Sequence, residues 1–426
     1  AVKDFTPQRT AEITGIAPED ILRAARAYAY SPASAILYSM GITQHSTGTD
    51  NVQAISNLAL ICGQMGRPGT GVMPLRGQNN VQGACDMGAL AEFYPGYKRA
   101  DDPKTISYFQ EAWNAPDLPL GPGLTATEMI EAAGRGEIKA MYILGEDPAN
   151  SDPCSEHARR SLESLDFLVV QDIFMTATAQ LADVVLPGAV WAEKEGSYTN
   201  TERRVQWSHK AIEPPGEARS DRDIICDVAR SLGLQFDYHD AASVLAEINR
   251  TVSQYAGILR ERLEGSGLVW PCPAADHPGT PILHCSGFNL AEGKASIVPV
   301  PFIPAAESAS CDHPFLLTTG RVAMHHNAGS MTRRSPSLIS RDPDLYVEMN
   351  REDAAALDIE DGDEVRIATV RGETSAYARL TDRLKKGVVF MPFHFPGTNI
   401  LTTDAMDPEA RIPEFKVCAC NVFRRD

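Results

Sequence analysis

The first sixty residues show the spacing of apolar side chains that is typical of helices and of short buried strands. A helix is predicted to open at Pro18, because proline followed by Glu19 and Asp20 suits the first helical turn. Residues 34–38 predict a strand, and a second helix is predicted after Thr49. The apolar faces of the two helices consist of Ile21, Leu22, Ala25 and Tyr28 and of Val52, Ile55, Leu58 and Cys62. Strand, glycine-containing loop and helix in this order indicate an α/β layer.

The same pattern returns in the middle of the chain. Strands are predicted over residues 138–144, 167–170 and 183–186, with a helix over 155–164. Nearly continuous apolar strands separated by helices indicate a parallel sheet that is covered on both faces. From residue 235 to about residue 306 the pattern loosens and prolines accumulate, which predicts a long connection.

After Pro314 the pattern changes to short strands joined by turns. Strands are predicted over residues 315–318, 346–349, 365–369, 376–380 and 388–391. Asn350 is expected to cap a short helix over residues 354–357. A mainly β segment with one small helix indicates a barrel.

Composition and charge exclude several classes of protein. A chain of 426 residues should divide into two or three domains. It has no apolar run of the ~20 residues that a membrane-spanning helix needs, and no signal peptide is visible. The formal net charge of −17 argues against nucleic acid or an anionic membrane as the main partner.

The nine cysteines are scattered, odd in number and without a CxxC pair, so a disulfide framework is not expected. This usage fits a reducing compartment, and we expect a cytoplasmic protein. Cys418 and Cys420 form the only close pair, and they are predicted to be buried strand residues rather than metal ligands. No metal ligand is assigned to any residue of the chain.

The run from Pro74 to Gly88, PLRGQNNVQGACDMG, carries the most specific chemistry. Arg76 supplies a planar cationic fork that suits a carboxylate or a phosphate. The surrounding side-chain amides offer donors and acceptors to a pterin or a purine, and the glycines let the backbone approach a bulky ligand. The residue types alone would also fit an exposed, asparagine-rich turn.

Three other loops concentrate polar residues, and all four are expected to lie outside regular elements. They are the segments MGITQHSTG from Met40, GEDPANS from Gly145 and TTGR from Thr318 with the histidines that follow it. The second lies at the carboxyl end of a strand, where open α/β sheets bind ligands, although it could simply cap a helix. His325 and His326 are adjacent, so their side chains should diverge and a shared ion is not expected. His45 and His394 are expected to be packed or surface histidines.

Taken in order, these motifs resemble one family along nearly the whole chain. GITQH, PLRGQNNVQGACDMG, ILGEDPANSD, VVQDIFMTATAQLADVVLP, EGSYTNTERRVQ, WPCP, TTGR and PEFKVC are similar to the later two-thirds of a molybdenum- or tungsten-dependent formate dehydrogenase catalytic subunit. That subunit belongs to the dimethyl sulfoxide reductase superfamily. The resemblance implies doubly wound parallel-sheet lobes followed by a six-stranded double-psi-type β-barrel. It also implies a metal bound by two molybdopterin guanine dinucleotides.

The domain boundaries and site residues implied by the resemblance can be named. Residues 1–78 would end one cofactor-binding lobe, 79–235 would form a second, 236–306 would connect, and 307–426 would form the barrel. Arg76 would orient formate. The expected cofactor-binding residues are Met40, Gln44, Gly77, Asn80, Gly145, Asp147, Ser151, Gln171, Asp172, Arg321, Ala323, His325, Asn327, Asn399 and Lys416.

The resemblance also has departures. The iron–sulfur cysteines and the cysteine or selenocysteine metal ligand of the family precede the matched region, so we expect a partial chain whose own activity is doubtful. Its partners would be the N-terminal part of the catalytic subunit, which would carry a [4Fe-4S] cluster, and iron–sulfur or diaphorase subunits for electron transfer. The expected reaction is the oxidation of formate to carbon dioxide. A nitrate reductase or a non-catalytic scaffold fragment remains the alternative.

Overall fold

The computed structural model of the chain describes residues 2–425. These residues form two compact units, each built from more than one stretch of sequence. The first comprises Ala1–Leu75, Pro281–Ala306 and Ala405–Glu414, and the second comprises Arg76–Thr280, Glu307–Asp404 and Phe415–Asp426. The domain boundaries at residues 78, 235 and 306 stay a prediction.

The first unit contains the α/β layer that the sequence predicts. Its helices are α1 (Pro7–Thr14), α2 (Pro18–Tyr30), α3 (Met40–Thr43) and α4 (Gly48–Ile61), and its strands are β1 (Ala35–Tyr38) and β2 (Gly71–Pro74). The strands pair in parallel, with Ala35 opposite Gly71. Proline opens α1 and α2, and Gly15 ends α1 in the left-handed region with φ 68°. The two predicted helices and the predicted strand are therefore confirmed.

The second unit carries the remaining elements. Its helices are α5 (Val81–Asp86), α6 (Pro103–Trp113), α7 (Ala126–Gly134), α8 (Pro148–Ser151), α9 (Ser155–Glu163), α10 (Asp221–Ser231), α11 (Ala241–Thr251), α12 (Pro336–Ile339) and α13 (Arg351–Ala356). Its strands are β3 (Phe93–Tyr94), β4 (Lys98–Arg99), β5 (Ala140–Leu144), β6 (Phe167–Asp172), β7 (Val184–Pro187), β8 (Gly196–Thr199), β9 (Arg204–Ser208), β10 (Leu268–Val269), β11 (Phe315–Gly320), β12 (Tyr346–Asn350), β13 (Glu364–Ala368), β14 (Glu373–Thr381), β15 (Val388–Pro392) and β16 (Cys418–Arg424).

Strands β5, β6 and β7 form the parallel sheet that the sequence predicts. Their carboxyl ends are level, because Leu144 pairs with Gln171 and Asp172 pairs with Pro187. The buried side chains of this layer come from the strands and from α7 and α9: Ile130, Ile143, Ala158, Leu162, Leu168 and Val170. The loops after β5 and β6 therefore leave the sheet at the same edge.

The region predicted to be a long connection is more regular than expected at its start. Helix α11 lies within it, and β10 pairs with β9 in an antiparallel sheet with β8. Asp240 begins α11 by accepting a hydrogen bond from the Ser243 backbone N–H at 2.7 Å. The prolines of this region follow α11. Because the prediction was based on the composition of the whole segment, these prolines concealed the helix that precedes them.

The C-terminal strands close into a six-stranded barrel in the order β11-β15-β12-β14-β13-β16, which confirms the predicted barrel. Its strand pairing is mixed: β11 pairs in parallel with β15 and β12 with β14, whereas the other neighbouring strands of the described barrel pair antiparallel. Cys418 and Cys420 are buried in β16, as predicted. Asn350 caps α13, since its side-chain oxygen accepts from the Glu352 backbone N–H at 2.9 Å.

Three of the four polar loops contain short helices, so the expectation that all lie outside regular elements is wrong. Helix α3 begins at Met40, α5 lies within the Arg76 run, and α8 follows Asp147. Helices of four to six residues are too short to show a helical period in sequence. Within residues 2–425, no helix is long and apolar enough to cross a bilayer.

Candidate functional site

Arg76 is half-buried at the start of the second unit. Its backbone N–H donates to the hydroxyl of Thr201 at 3.1 Å. The Nε atom of its guanidinium is buried and has no hydrogen-bond partner among the described residues. A buried donor without a partner is costly, so this atom is suited to meet a ligand.

Asn80 is held by the strand that precedes Thr201. Its side-chain oxygen accepts from the backbone N–H of Thr199 at 2.8 Å. Gly83 permits this arrangement, because a Cβ at that position would lie 2.2 Å from the same oxygen. Asn80 is therefore held in place, whereas Gly77, Gln78 and Asn79 before it are exposed, as the alternative of an exposed turn expects.

Gly77 lies against the loop that follows the first barrel strand. A Cβ on Gly77 would lie 2.9 Å from both terminal nitrogens of Arg321. The carbonyl oxygen of Gly77 accepts from Nε2 of His326 at 2.9 Å. The structure thus brings together two motifs that are more than 240 residues apart in sequence.

Arg321 is the second desolvated cation of this site. One terminal nitrogen donates to the side-chain oxygen of Asn327 at 2.5 Å, and its buried Nε has no partner among the described residues. Burial lowers the pKa of Arg321. Ala323 is exposed in the same loop. Lys416 contributes a further cation near Arg321 along the barrel, where its Nζ donates to the carbonyl oxygen of Thr319 at 2.7 Å.

His325 and His394 support the barrel loop through both of their ring nitrogens. His325 is buried, and its ring contacts the Thr332 hydroxyl at 3.2 Å and the Asp342 carbonyl oxygen at 2.8 Å. His394 accepts from the Val322 backbone N–H and donates to the Asn327 carbonyl oxygen. Burial lowers the pKa of His394. His325 and His326 diverge, as expected, since His326 is exposed.

The loop after β5 brings Asp147 beside Thr178. Gly145 adopts φ 65°, and its N–H donates to the Gln171 carbonyl oxygen at 2.9 Å. One carboxylate oxygen of Asp147 accepts from the backbone N–H of Thr178 at 2.9 Å and from its hydroxyl at 2.8 Å. Asp147 precedes α8, yet its side chain does not cap that helix. The helix-capping alternative is therefore not what the geometry shows.

Three more carboxyl groups lie around this loop, and each has a raised pKa. Burial and the charge of Glu146 raise the pKa of Asp152 to about 7. Burial and the charges of Asp172 and Asp147 raise the pKa of Glu146. Burial also raises the pKa of Asp172, although the N–H groups of Ile173 and Phe174 donate to it at 2.6 and 3.3 Å. The edge of the parallel sheet therefore carries several carboxyl groups close together, whose oxygens can accept hydrogen bonds.

Gln171, at the end of β6, is fully engaged within the protein. Its amide nitrogen donates to Asp221 at 2.7 Å, and its amide oxygen accepts from the Tyr142 hydroxyl. Lys194 pairs with the other oxygen of Asp221. The buried Gln171 side chain thus orders the strand end.

Asn399 connects the barrel to α8. Its amide nitrogen donates to the carbonyl oxygens of Asn150 and Ser151 at 3.1 and 3.0 Å. The Ser151 hydroxyl points to Asp152 at 3.5 Å. The amide oxygen of Asn399 is buried without a partner among the described residues, so it resembles Arg76 and Arg321 in offering an unused polar atom.

In the first unit, Met40 and Gln44 lie at the two ends of α3. The backbone N–H of Gln44 donates to the Met40 carbonyl oxygen at 2.9 Å. The side-chain oxygen of Gln44 is buried without a partner in the part of the chain that the structure describes. His45 pairs with the buried Glu414 at 3.1 Å, which fits the expected packed histidine.

Sequence reasoning missed Arg333 and Thr178. The Nε of Arg333 is buried and unpartnered among residues 2–425, and burial together with the charge of Arg334 lowers the pKa of Arg333. Arg334 is stacked 4.5 Å from the ring centroid of Phe174. The adjacent arginines after Gly329 were the available signal in the sequence.

Comparison with known families identifies two matching segments. The family described as Molybdopterin oxidoreductase matches residues 20–231. The Molydopterin dinucleotide binding domain matches residues 315–419, which contain the barrel from β11 to the start of β16.

Curated relatives match along nearly the whole chain. The F420-dependent formate dehydrogenase subunit alpha of Methanocaldococcus jannaschii is 48% identical over 427 residues, covering 99% of this chain and 63% of that protein. Formate dehydrogenase H of Escherichia coli is 36% identical, covering 99% and 60%. The assimilatory nitrate reductase catalytic subunit of Bacillus subtilis is 35% identical, covering 97% and 60%. The chain therefore spans less than two-thirds of the length of these relatives.

A solved structure shares the fold. Acetylene hydratase from Pelobacter acetylenicus superposes with a TM-score of 0.71 at 18% identity, covering all of this chain and 65% of that one. The two matching domain families, the curated relatives and the lobes-and-barrel architecture agree. The chain belongs to the molybdopterin oxidoreductase family, and its C-terminal barrel is a molybdopterin dinucleotide-binding domain.

Proposed function

We propose that this chain forms the cofactor-binding and substrate-orienting part of a formate dehydrogenase catalytic subunit. The observation that carries the proposal is the desolvated Arg76, whose buried Nε lacks a partner among the described residues. The relatives named formate dehydrogenase, at 48% and 36% identity, support the same substrate. Arginine is suited to formate because its planar fork matches a small carboxylate.

The residues present fit a bulky, polar cofactor such as a pair of molybdopterin guanine dinucleotides. Nine buried side-chain polar atoms lack partners among residues 2–425, and four of them belong to the loops of the second unit described above: Nε of Arg76, Nε of Arg321, Nε of Arg333 and Oδ1 of Asn399. Buried polar groups are normally paired, so a set of unpaired atoms supports the presence of a ligand in the working protein. Three of these four belong to residues that the family resemblance implied, and the resemblance also implied Gln44 of the first unit, whose Oε1 is likewise without a partner among the described residues.

The chain's own contribution to the reaction is orientation. Formate is oxidised to carbon dioxide with release of one proton and two electrons, and the bound molybdenum or tungsten cofactor supplies the redox chemistry. Arg76 would hold the formate carboxylate, and the Thr201 contact to its backbone would fix the direction of its side chain. Gly77 and Arg321 would limit the space on the barrel side.

The sheet edge would hold the nucleotide end of one cofactor. Asp147 would accept from guanine, with Gly145, Ser151 and Asp172 around it, and Gln171 would act by ordering the strand end. Arg333 would balance the phosphate charge. Ala323, His325 and Asn327 would line the barrel loop, His325 through its backbone since both of its ring nitrogens are used.

Electrons would leave through a [4Fe-4S] cluster in the N-terminal part of the catalytic subunit and then through iron–sulfur or diaphorase subunits. The length of the relatives, of which this chain covers 60–63%, supports such an additional part in those proteins. A cytoplasmic location follows from the same assignment. These partners and the location are part of the proposal.

The experiment that tests the proposal uses the intact subunit with its N-terminal part. Purified protein is analysed for molybdenum, tungsten and guanosine monophosphate released by acid hydrolysis, and is then assayed with formate and an oxidised viologen dye. Metal, guanine nucleotide and formate-dependent dye reduction together support the proposal. Protein that lacks both metal and pterin under conditions in which a known molybdoenzyme is loaded would support the scaffold alternative.

Nitrate reduction is the second candidate, favoured by the relative at 35% identity. The same preparation assayed with reduced viologen and nitrate distinguishes the two activities. Nitrate turnover without formate turnover would replace the proposed substrate while keeping the cofactor assignment.

A further inference from the structure

A buried carboxylate, Asp86, lies at the end of α5 and has no place in the proposed mechanism. Its side chain is surrounded by donors. One oxygen accepts from the Gln82 amide at 2.8 Å and from the Tyr97 hydroxyl at 2.9 Å, and the other accepts from the Tyr255 hydroxyl at 2.5 Å. Asp86 is 1% exposed, so these contacts form a closed polar cluster.

The donors around Asp86 fix the direction of every hydrogen bond. The Gln82 amide nitrogen also donates to the Tyr97 hydroxyl at 2.9 Å, so the single proton of Tyr97 is directed at Asp86. The proton of Tyr255 is directed at the other carboxylate oxygen. The contact of 3.0 Å between the hydroxyls of Tyr255 and Thr199 must then use the proton of Thr199.

Thr199 connects this cluster to the amide-rich run. Its hydroxyl faces Tyr255, while its backbone N–H donates to the Asn80 side chain. Two residues later, Thr201 accepts from the backbone N–H of Arg76. The carboxylate of Asp86 is therefore joined through Tyr255 to the segment that holds both Asn80 and Arg76.

We propose that Asp86, through Tyr255 and Thr199, is a positioning residue for Arg76 and Asn80. The inference rests on the proposed function, since it assigns a role in orienting the substrate of that site. The buried side chain of Asp86 orients the Tyr255 hydroxyl, which in turn orients the hydroxyl of Thr199 and so the position of residues 199–201.

The two tyrosines provide a matched comparison. Each donates its hydroxyl proton to Asp86, and among the described residues it is the hydroxyl of Tyr255 that also bonds to the hydroxyl of Thr199. Loss of either hydroxyl removes one donor from the same buried carboxylate. Tyr255→Phe breaks the connection to the Arg76 segment, whereas Tyr97→Phe leaves it in place.

The test uses the intact, cofactor-loaded enzyme and its variants Tyr255→Phe, Tyr97→Phe and Asp86→Asn. We expect Tyr255→Phe to raise the KM for formate about tenfold, with kcat changed less than about threefold. We expect Tyr97→Phe to change KM less than about twofold. Asp86→Asn, which turns one acceptor into a donor, should follow Tyr255→Phe. Metal and guanine nucleotide content are measured for each variant, and KM is compared only among loaded preparations.

A second readout does not depend on formate turnover. Hydrogen exchange of peptides covering residues 76–80 and 199–201 should be faster in Tyr255→Phe and unchanged in Tyr97→Phe. Equal effects of the two tyrosine variants on exchange would overturn the positioning role and leave Asp86 as a structural group. If the exchange difference appears while the parent enzyme shows no formate turnover, the positioning role stands and the proposed substrate fails.

Discussion

The side-chain nitrogen of Asn399 lies 3.0 Å from the carbonyl oxygen of Ser151, so a residue after the fifth barrel strand donates to the last residue of α8. The same nitrogen reaches the carbonyl of Asn150 at 3.1 Å. These bonds use both protons of the amide and fix its orientation. The amide oxygen is consequently directed away from α8, and it is buried with no partner among residues 2–425.

This orientation predicts separable effects of two neighbouring substitutions in the intact enzyme. Asn399→Ala should lower the content of pterin dinucleotide and metal about tenfold, because it removes both the fixed acceptor and the link to α8. Thr398→Val is the control, since the hydroxyl of the buried Thr398 donates to the Pro392 carbonyl at 2.8 Å. That variant should lower the melting temperature and keep its cofactor. Equal cofactor content in the two variants would contradict a cofactor-facing role of Asn399.

Arg76→Lys should reduce kcat/KM for formate at least ~10-fold, or about 1.4 kcal/mol of transition-state stabilisation. Lysine keeps the charge but loses the planar fork and the buried Nε that has no partner among the described residues. The fold should be unchanged, because the hydrogen bond from Arg76 to Thr201 uses the backbone N–H of Arg76. Formate kinetics in steady state and circular dichroism provide the check. Unchanged formate kinetics would remove Arg76 from the site.

Elements with a long, clear period could be predicted from the sequence. The strand Phe167–Asp172 and the helix Ser155–Glu163 appear within two residues of their predicted bounds. The barrel strands β11, β12, β13 and β15 also lie within two residues of their predicted bounds, whereas β14 begins three residues earlier than predicted. Helix α11 was hidden, because the many prolines that follow it dominate the composition of its region. Short helices such as α5 carry too few residues to show a period.

The site residues also divide into those that the sequence indicated and those that it did not. The residue types of the polar loops singled out Arg76, Arg321 and Gln44, and the family resemblance implied Asn399; each has a buried polar atom without a partner among the described residues. The sequence did not reveal that the polar side-chain atoms of Gln171 and His325 form hydrogen bonds within the protein. Their partners, Asp221 and Asp342, are distant in sequence or lie outside any motif. Arg333 was missed because the adjacent pair Arg333 and Arg334 does not show from sequence which of the two guanidinium groups is buried without a partner among the described residues.

Arg333 and Arg334 give a matched pair of neighbours with opposite expectations. Arg333→Met should raise the free energy of unfolding of the cofactor-free chain by about 1 kcal/mol, because it removes a desolvated group with an unpaired Nε. The same variant of the intact enzyme should retain less dinucleotide. Arg334→Met should destabilise instead, since it loses the bond to the Met175 carbonyl and the stacking on Phe174.

Urea unfolding of the cofactor-free chain and phosphate analysis of the intact enzyme measure the two effects of these arginines. A lower stability of Arg333→Met with normal dinucleotide content would indicate that Arg333 is only a structural residue.

Asp152 should make the cofactor-free chain less stable as the pH rises from about 4 to about 7. Burial and the charge of Glu146 raise the pKa of Asp152 to about 7, well above the ~3.9 of an unfolded aspartate. The folded state therefore binds the proton more tightly than the unfolded state. The resulting stabilisation is fully present below the pKa of the unfolded state and is lost as the pH rises through the pKa of the folded state. Asp152→Asn should be more stable than the parent by about 1–2 kcal/mol at pH 8 and equal to it near pH 4.

Urea unfolding of both proteins across this pH range tests the sign. Asp166→Asn serves as the control, because Asp166 has a side chain that is 71% exposed. A stability difference between Asp152→Asn and the parent that shrinks with rising pH would contradict the assignment.

Asp147 provides the sharpest test of the nucleotide site, because its contacts separate an anchoring role from a binding role. An ionised carboxylate has about four acceptor positions, and the backbone N–H and hydroxyl of Thr178 use two of them on one oxygen. The remaining capacity can accept both the ring N–H and the exocyclic amine of guanine, which an amide cannot do in the same geometry.

Asp147→Asn keeps an oxygen for Thr178 and loses the second acceptor, so the intact enzyme should purify with several-fold less guanine dinucleotide and metal at a nearly normal melting temperature. Thr178→Val is the matched variant, since it removes the hydroxyl contacts to Asp147 and to the Ala149 N–H at 3.1 Å but keeps the carboxylate. It should lower the melting temperature and retain the cofactor. If Asp147 acts only as an anchor for Thr178, the order reverses: Asp147→Asn would hold a normal amount of cofactor, and Thr178→Val would show the larger loss.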